Sequence, residues 1–156
     1  MNTPIKRHAF LKPLSHDHHH GLLLCWKIRT GYRKNVEIKR IKLYADWFYK
    51  NHLLPHFEIE EKYVFPILGN EHELVKRALS EHRKLRRLFE DFDEVSKTLG
   101  MIEEKLEAHI RFEERFLFNE IQNTAPPKVL EEMAAIHSGL NSGTHPIEEW
   151  EDEFWK

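Results

Sequence analysis

The sequence predicts an all-α protein, a bundle of helices that run antiparallel to their neighbours, with a short C-terminal helical extension. Three observations predict it. Apolar residues recur with the 3.6-residue period of amphipathic helices, and strand-like alternation is scarce. The breaks between periodic stretches are short, which makes successive helices antiparallel neighbours. Finally, two stretches repeat one another. His56-Phe57-Glu58-Ile59-Glu60-Glu61-Lys62-Tyr63-Val64-Phe65 is echoed by His109-Ile110-Arg111-Phe112-Glu113-Glu114-Arg115-Phe116-Leu117-Phe118.

The elements follow in chain order. Residues 1–12 read as a lead-in. Pro13 and Ser15 suit a helix start, with Leu14, Leu22, Cys25 and Ile28 on one face as far as about Thr30, where Gly31 interrupts. A second, long helix runs from Val36 to about Phe65, with Ile41, Ala45, Phe48 and Leu53 inward. Pro55 lies inside it, and an internal proline removes a hydrogen bond, so a kink is expected beside His56. Pro66 and Gly69 close that helix. A third covers about Glu71 to Lys97, with Leu74, Ala78, Leu85 and Phe89 inward. Gly100 separates it from a fourth, about Met101 to Gln122, with Ile102, Leu106 and Phe116 inward. The run Thr124-Ala125-Pro126-Pro127 breaks the pattern, and a shorter helix spans about Lys128 to Gly139. Asn141-Ser142-Gly143 reads as a loop. Ile147, Trp150 and Phe154 then fall at helical spacing and suit a cap on the bundle. All 156 residues fit one domain, with a bundle core at about 11–122 and a helical cap at about 126–156.

Composition excludes several classes. Charged residues make up 32% and the formal net charge is -2, so no basic surface for nucleic acid is expected. No run approaches the ~18 apolar residues that span a membrane, and no secretory signal pattern opens the chain. The expectation is a cytoplasmic protein. Cys25 is the only cysteine, so neither an intramolecular disulfide nor a cysteine zinc site can form. Histidine is in excess, at 12 residues, and it is the commonest metal-ligating side chain.

The duplicated stretches give that excess a geometry. Positions i and i+4 share a helix face, so His56 with Glu60, and His109 with Glu113, each aim an imidazole and a carboxylate the same way. Two such helices facing one another surround a shared point with nitrogen and oxygen ligands. His145 and Glu149 have the same spacing, but proline follows the histidine and the flanks do not match. Two metals need more donors. On the third helix His82 falls in register with Ala78, Leu85 and Phe89. On the first, His18 lies four residues from both Leu14 and Leu22, on the apolar stripe, and His19 is the alternative. His18 follows Asp17 as His82 follows Glu81. His16 and His20 form a pair on a more polar face and read as surface residues.

The resulting order is His, His-x-x-x-Glu, His, His-x-x-x-Glu, one element per helix. It resembles the hemerythrin-like (HHE cation-binding) family over about residues 11–122, with Leu14-Ser15-His16-Asp17-His18-His19-His20-Gly21-Leu22 and the stretch from His56 to Pro66 similar to its first two motifs. The resemblance implies an up-and-down four-helix bundle around a non-haem di-iron site. It makes His18, His56, His82 and His109 terminal ligands and Glu60 and Glu113 bridges between two iron ions. Two departures stand out. Oxygen-carrying hemerythrins have a second histidine four residues after the third-helix ligand, where this chain has Arg86. They also use an acid five residues after the last histidine, which would be Glu114. A spacing of four is about 40° off alignment and five about 140° off, which favours Glu113 and leaves Glu114 open. Arg86 cannot ligate a cation. It is expected to point away or to pair with a carboxylate near the site.

The function expected on these grounds is a di-iron protein that binds or senses O2 or NO. The alternatives are a di-iron enzyme (iron–sulfur centre repair, NO reduction or peroxide removal) and an iron store. A lone cysteine counts against repair, which in this family usually accompanies adjacent cysteines.

Overall fold

The computed structural model describes residues 7–140 and 150–156, and among them all regular structure is helical. Helix α1 (Lys12–Arg33) has proline in its first turn, where the missing N–H costs nothing. It ends at Asn35, whose φ of 57° closes the helix in the left-handed conformation, while Val36 N–H donates to Gly31 O at 2.9 Å. Gly31 therefore does not interrupt the helix, as expected from sequence, but lies inside it. A Cβ there would stand 2.7 Å from Ile41 Cδ1 and 3.1 Å from the Phe154 ring, so glycine serves close packing. Gly21 plays the same part, its absent Cβ 2.7 Å from Ile110 Cδ1, which lets α1 lie close on the helix that carries Ile110.

The second stretch is one continuous helical path made of α2 (Ile38–Phe48), a π-helical turn (Tyr49–Leu53), α3 (Leu54–Ile59), a second π turn (Glu60–Val64) and a 3-10 turn (Phe65–Ile67). Pro55 is accommodated here. The π turn before it supplies the wider loop that a residue without an N–H requires. Helix α4 (Glu73–Phe89) is capped by His72, whose Nδ1 accepts from Leu74 N–H at 3.1 Å. It stops eight residues before the expected Lys97. Asp91 Oδ1 instead accepts from Asp93 N–H and Glu94 N–H, a side-chain turn that ends one helix and starts the next. Helix α5 (Val95–Phe112) follows at once, so Gly100 is not the separator. It sits within α5 beside open space, with neither positive φ nor close packing to require glycine.

The last long stretch continues through a π turn (Glu113–Leu117) into α6 (Phe118–Thr124), and α7 (Pro127–Leu140) comes after the proline break. Phe116, expected inward, is exposed, because Glu113 and Leu117 take the inward face of the π turn. Residues 150–156 are not helical, contrary to the helical spacing of their aromatics. They nevertheless pack onto the bundle. Phe154 is buried, Trp150 and Trp155 lie against the same core, and Arg40 forms a two-bond ion pair with Asp152. Ile147, the loop at 141–143 and the pair His145 and Glu149 fall outside the described residues. No helix among the described residues is long and apolar enough to cross a membrane.

Two apolar clusters make up the core. One holds Leu24, Phe57, Leu85, Leu106 and the residues around Tyr44; the other holds Leu14, Val64, Ala78, Leu117 and Phe118. Between the two sets, on each long helical stretch, lie buried histidines and glutamates. The two apolar clusters flank this polar layer.

Candidate metal centre

Six buried side chains occupy that layer. His18 comes from α1, His56 from α3, His82 from α4 and His109 from α5, while Glu60 and Glu113 each open a π turn. The repeated sequence therefore has a repeated local structure, an α-helical histidine followed four residues later by a glutamate at the start of a π turn. All six are at most 4% exposed, and both glutamates are at 0%.

The donor atoms fall into two groups that share both glutamates. His18, His56, Glu60 and Glu113 form one; His82, His109, Glu60 and Glu113 form the other. Each offers four donor atoms within 4.8 Å of one another, a set that could hold a metal ion. The Nε2 atoms of His18 and His56 are 3.2 Å apart, and those of His82 and His109 are 3.1 Å apart. Glu60 straddles the two groups. Its Oε2 is 3.3 Å from His56 Nε2 and its Oε1 is 3.2 Å from His82 Nε2. Glu113 does the same, with Oε1 2.8 Å from His18 Nε2 and Oε2 3.3 Å from His109 Nε2.

Glu60 Oε1 and Oε2 and Glu113 Oε2 are buried and make no hydrogen bond. Leaving a charged group's oxygens unmatched inside a protein is costly, and a cation shared between the carboxylates satisfies them. The donor set of neutral imidazoles and carboxylates suits first-row transition ions.

The outer ring nitrogens show how the histidines are held. Every Nδ1 meets a carboxylate. His18 pairs with Glu114 at 2.7 Å, His56 with Asp17 at 3.0 Å, His82 with Glu61 at 2.7 Å and His109 with Glu81 at 2.7 Å. An Nδ1–H donated outward leaves the Nε2 lone pair facing the centre, the arrangement that orients metal-binding imidazoles. Each outer acid is the chain neighbour of an inner residue, yet each holds the histidine of a different helix. The sequence assigns Asp17 and Glu81 no role, and it favours Glu113 while leaving Glu114 open; the structure puts Glu113 inside the layer and Glu114 behind His18. The available signal was adjacency. Three of the outer acids are in turn tied down by arginines: Glu114 by Arg7 at 3.5 Å, Glu61 by Arg86 at 3.0 Å and Glu81 by Arg77 at 3.0 Å. Arg86 thus pairs with a carboxylate beside the site. Rings complete the walls, with Phe57 stacked on His82 at 3.9 Å and Phe118 on His18 at 5.2 Å. His19 is exposed on α1 and outside both groups.

Electrostatics follow from this packing. Burial opposes a charge on His18, but hydrogen bonds to Glu113 and Glu114 outweigh it and lift its pKa to about 9. His82 is lifted to about 10 against the same burial, by Glu113, Glu60 and Glu61. For His56 burial is overcome by Glu60 and Asp17, and for His109 by Glu113 and Glu81; both are raised. Burial would push Glu113 up, but His109, His18 and His82 hold it well below the usual carboxylate range. Without metal, the carboxylates of the layer favour protons on these imidazoles. Cations entering it take the protons' place.

A buried histidine–carboxylate layer inside a helical protein defines a cation-binding domain. The family comparison agrees: the model for the hemerythrin HHE cation-binding domain matches residues 9–98, and the chain belongs to that family. The matched stretch contains His18, His56, Glu60 and His82, while His109 and Glu113 lie beyond it and join the layer through the fold. No curated protein and no solved structure matches the chain.

Proposed function

We propose that the protein is a non-haem di-iron protein that binds or senses O2 or NO. In this reading His18 and His56 hold one ion, His82 and His109 the other, and Glu60 and Glu113 bridge them. The observation that carries it is the pair of four-donor groups sharing two buried glutamates, three of whose four oxygens lack hydrogen bonds. An up-and-down four-helix bundle belongs to the same proposal. It is supported by the order in which the helices traverse the two apolar clusters: Leu14 then Leu24, Leu53 then Val64, Ala78 then Leu85, Leu106 then Leu117.

The choice of iron rests on the family resemblance, since nitrogen and oxygen donors alone also suit manganese or zinc. When bound, a pair of iron ions supplies sites for a small diatomic ligand and a means of exchanging electrons with it. Four imidazoles and two carboxylates would hold the ions and would leave coordination positions for a small ligand. The chain's own residues do the rest. The outer acids fix the imidazole tautomers, and Phe57, Phe65 and Phe118 wall the layer with apolar rings. Arg86 stands on Glu61 where oxygen carriers have an extra imidazole, which leaves the ion held by His82 and His109 more open.

The test is metal analysis of protein purified without air, with an optical spectrum before and after exposure to O2 or NO. Two iron ions per chain and a ligand-dependent absorption band are expected. No retained iron after reconstitution, or a single ion, refutes the di-iron reading.

A further inference from the structure

The same helix that supplies His18 carries a second convergence of imidazoles outside the buried layer. His16 and His20, one turn apart on α1, turn their Nε2 atoms toward each other at 3.1 Å, with ring planes at 88°. That separation nearly equals the 3.1 and 3.2 Å between paired Nε2 atoms inside the centre. An ion about 2.05 Å from each nitrogen would subtend about 98° between them, a value between the octahedral and tetrahedral angles. Two imidazoles spaced i, i+4 on a helix are thus already placed as a two-point chelate.

The surroundings give the pair a direction. His16 is exposed and His20 half-buried. Between them in sequence stands Asp17, whose carboxylate holds His56 Nδ1 at 3.0 Å. Asp17 is also the most exposed of the four outer acids, its side chain at 43% against 26–30% for the others. The six inner residues are nearly inaccessible, and of the acids that back their histidines Asp17 offers the most exposed carboxylate.

We infer that His16 and His20 form an outer chelate for a divalent transition ion, which is passed by way of Asp17 to the buried centre. This rests on the reading of that centre as a metal site. The outer pair lacks the support found inside. His20 Nδ1 is buried with no hydrogen-bond partner, whereas each inner histidine is held by a carboxylate. Losing such support weakens a site by roughly 10–100-fold, and weak, reversible binding suits a loading site.

The test compares the full-length protein with His16→Ala/His20→Ala, and with His19→Ala as a control that removes a neighbouring exposed imidazole but not the pair. Iron-loaded protein is titrated with Zn2+, and metal-free protein is mixed anaerobically with Fe2+ while uptake is followed by retained iron after desalting. The wild type and His19→Ala are expected to bind one further Zn2+ weakly. The double variant should not, and it should fill with iron several-fold more slowly to the same final content. Equal uptake rates, or unchanged Zn2+ binding in the double variant, overturn the inference. Single His16→Ala, at an exposed position, guards against a folding defect and should show the same slow filling. Failure of the centre itself looks different: no protein, the wild type included, retains iron, and the delivery role falls with it.

Discussion

Glu113 and Glu114 are adjacent, and the structure assigns them opposite places, so substituting each by glutamine separates a bridge from a support. Glu113 is fully buried and stands 2.8 to 3.7 Å from three imidazoles. Glutamine keeps the shape but removes the charge that balances those rings. Removing one partner of a buried ion pair costs about 3–5 kcal/mol, which for a chain of this size lowers the metal-free Tm by roughly 6–20 °C. Both donor groups use Glu113, so metal content should fall clearly below two ions per chain. Glu114 is different. Its side chain is 30% exposed, and it meets His18 Nδ1, Ser15 Oγ and Arg7. A glutamine oxygen still accepts from His18, so only the charge assistance is lost. Metal affinity should weaken by about 10–100-fold, or about 1.4–2.8 kcal/mol, with stoichiometry unchanged at saturating metal. Stability of the metal-free protein should change by less than about 1 kcal/mol. Elemental analysis, competition against a chelator of known affinity and thermal melts read all three quantities. If Glu114→Gln loses an ion while Glu113→Gln keeps both, the bridging role belongs to Glu114 and the assignment drawn from burial and donor distances is wrong.

Two further outcomes are expected. In metal-free protein His18 and His82 are raised from 6.5 to about 9 and about 10; their stabilisation is complete below pH 6.5 and lost as pH rises through 9 to 10, whereas that of the depressed Glu113 is lost as pH falls below about 4.5. Metal-free protein should therefore melt highest between these limits, while metal affinity should rise with pH because ions displace protons; a metal-free Tm that stays flat from pH 6.5 to 10 refutes this. Arg86→His removes the guanidinium from Glu61 and puts an imidazole where oxygen carriers have one. It should slow oxidation of the reduced iron protein by air in stopped-flow measurements, at a stability cost of about 1 kcal/mol for a half-buried ion pair; an unchanged or faster rate refutes the link between Arg86 and an open coordination position.

Much of the fold was legible because helices announce themselves locally. The apolar period placed Leu14, Ile41, Ala78 and Leu106 in the core, where they are buried. Element boundaries were less legible. Gly31 and Gly100 look alike in sequence, and both were read as breaks. One is a packing contact with Ile41 and Phe154, which are distant in the chain, and the other has no structural demand at all. The true break at Asp91 depends on one side chain folding back on two backbone amides. The tail misled for a related reason. Its aromatics have helical spacing, but packing against Tyr44 and Trp47 governs residues 150–156.

The sequence by itself determined the inner side chains that gather in the layer. The 3.6-residue turn puts residues four apart on one face, and the apolar stripe says which face points inward. That is local geometry, and it selected His18, His56, Glu60, His82, His109 and Glu113. Only the tertiary structure decided how those residues are held. Asp17 serves His56, Glu61 serves His82, Glu81 serves His109 and Glu114 serves His18, each across a helix boundary. Such pairings depend on the distance and rotation between packed helices, set by the glycine contacts and by the π turns at the two glutamates. No spacing along a single helix encodes them.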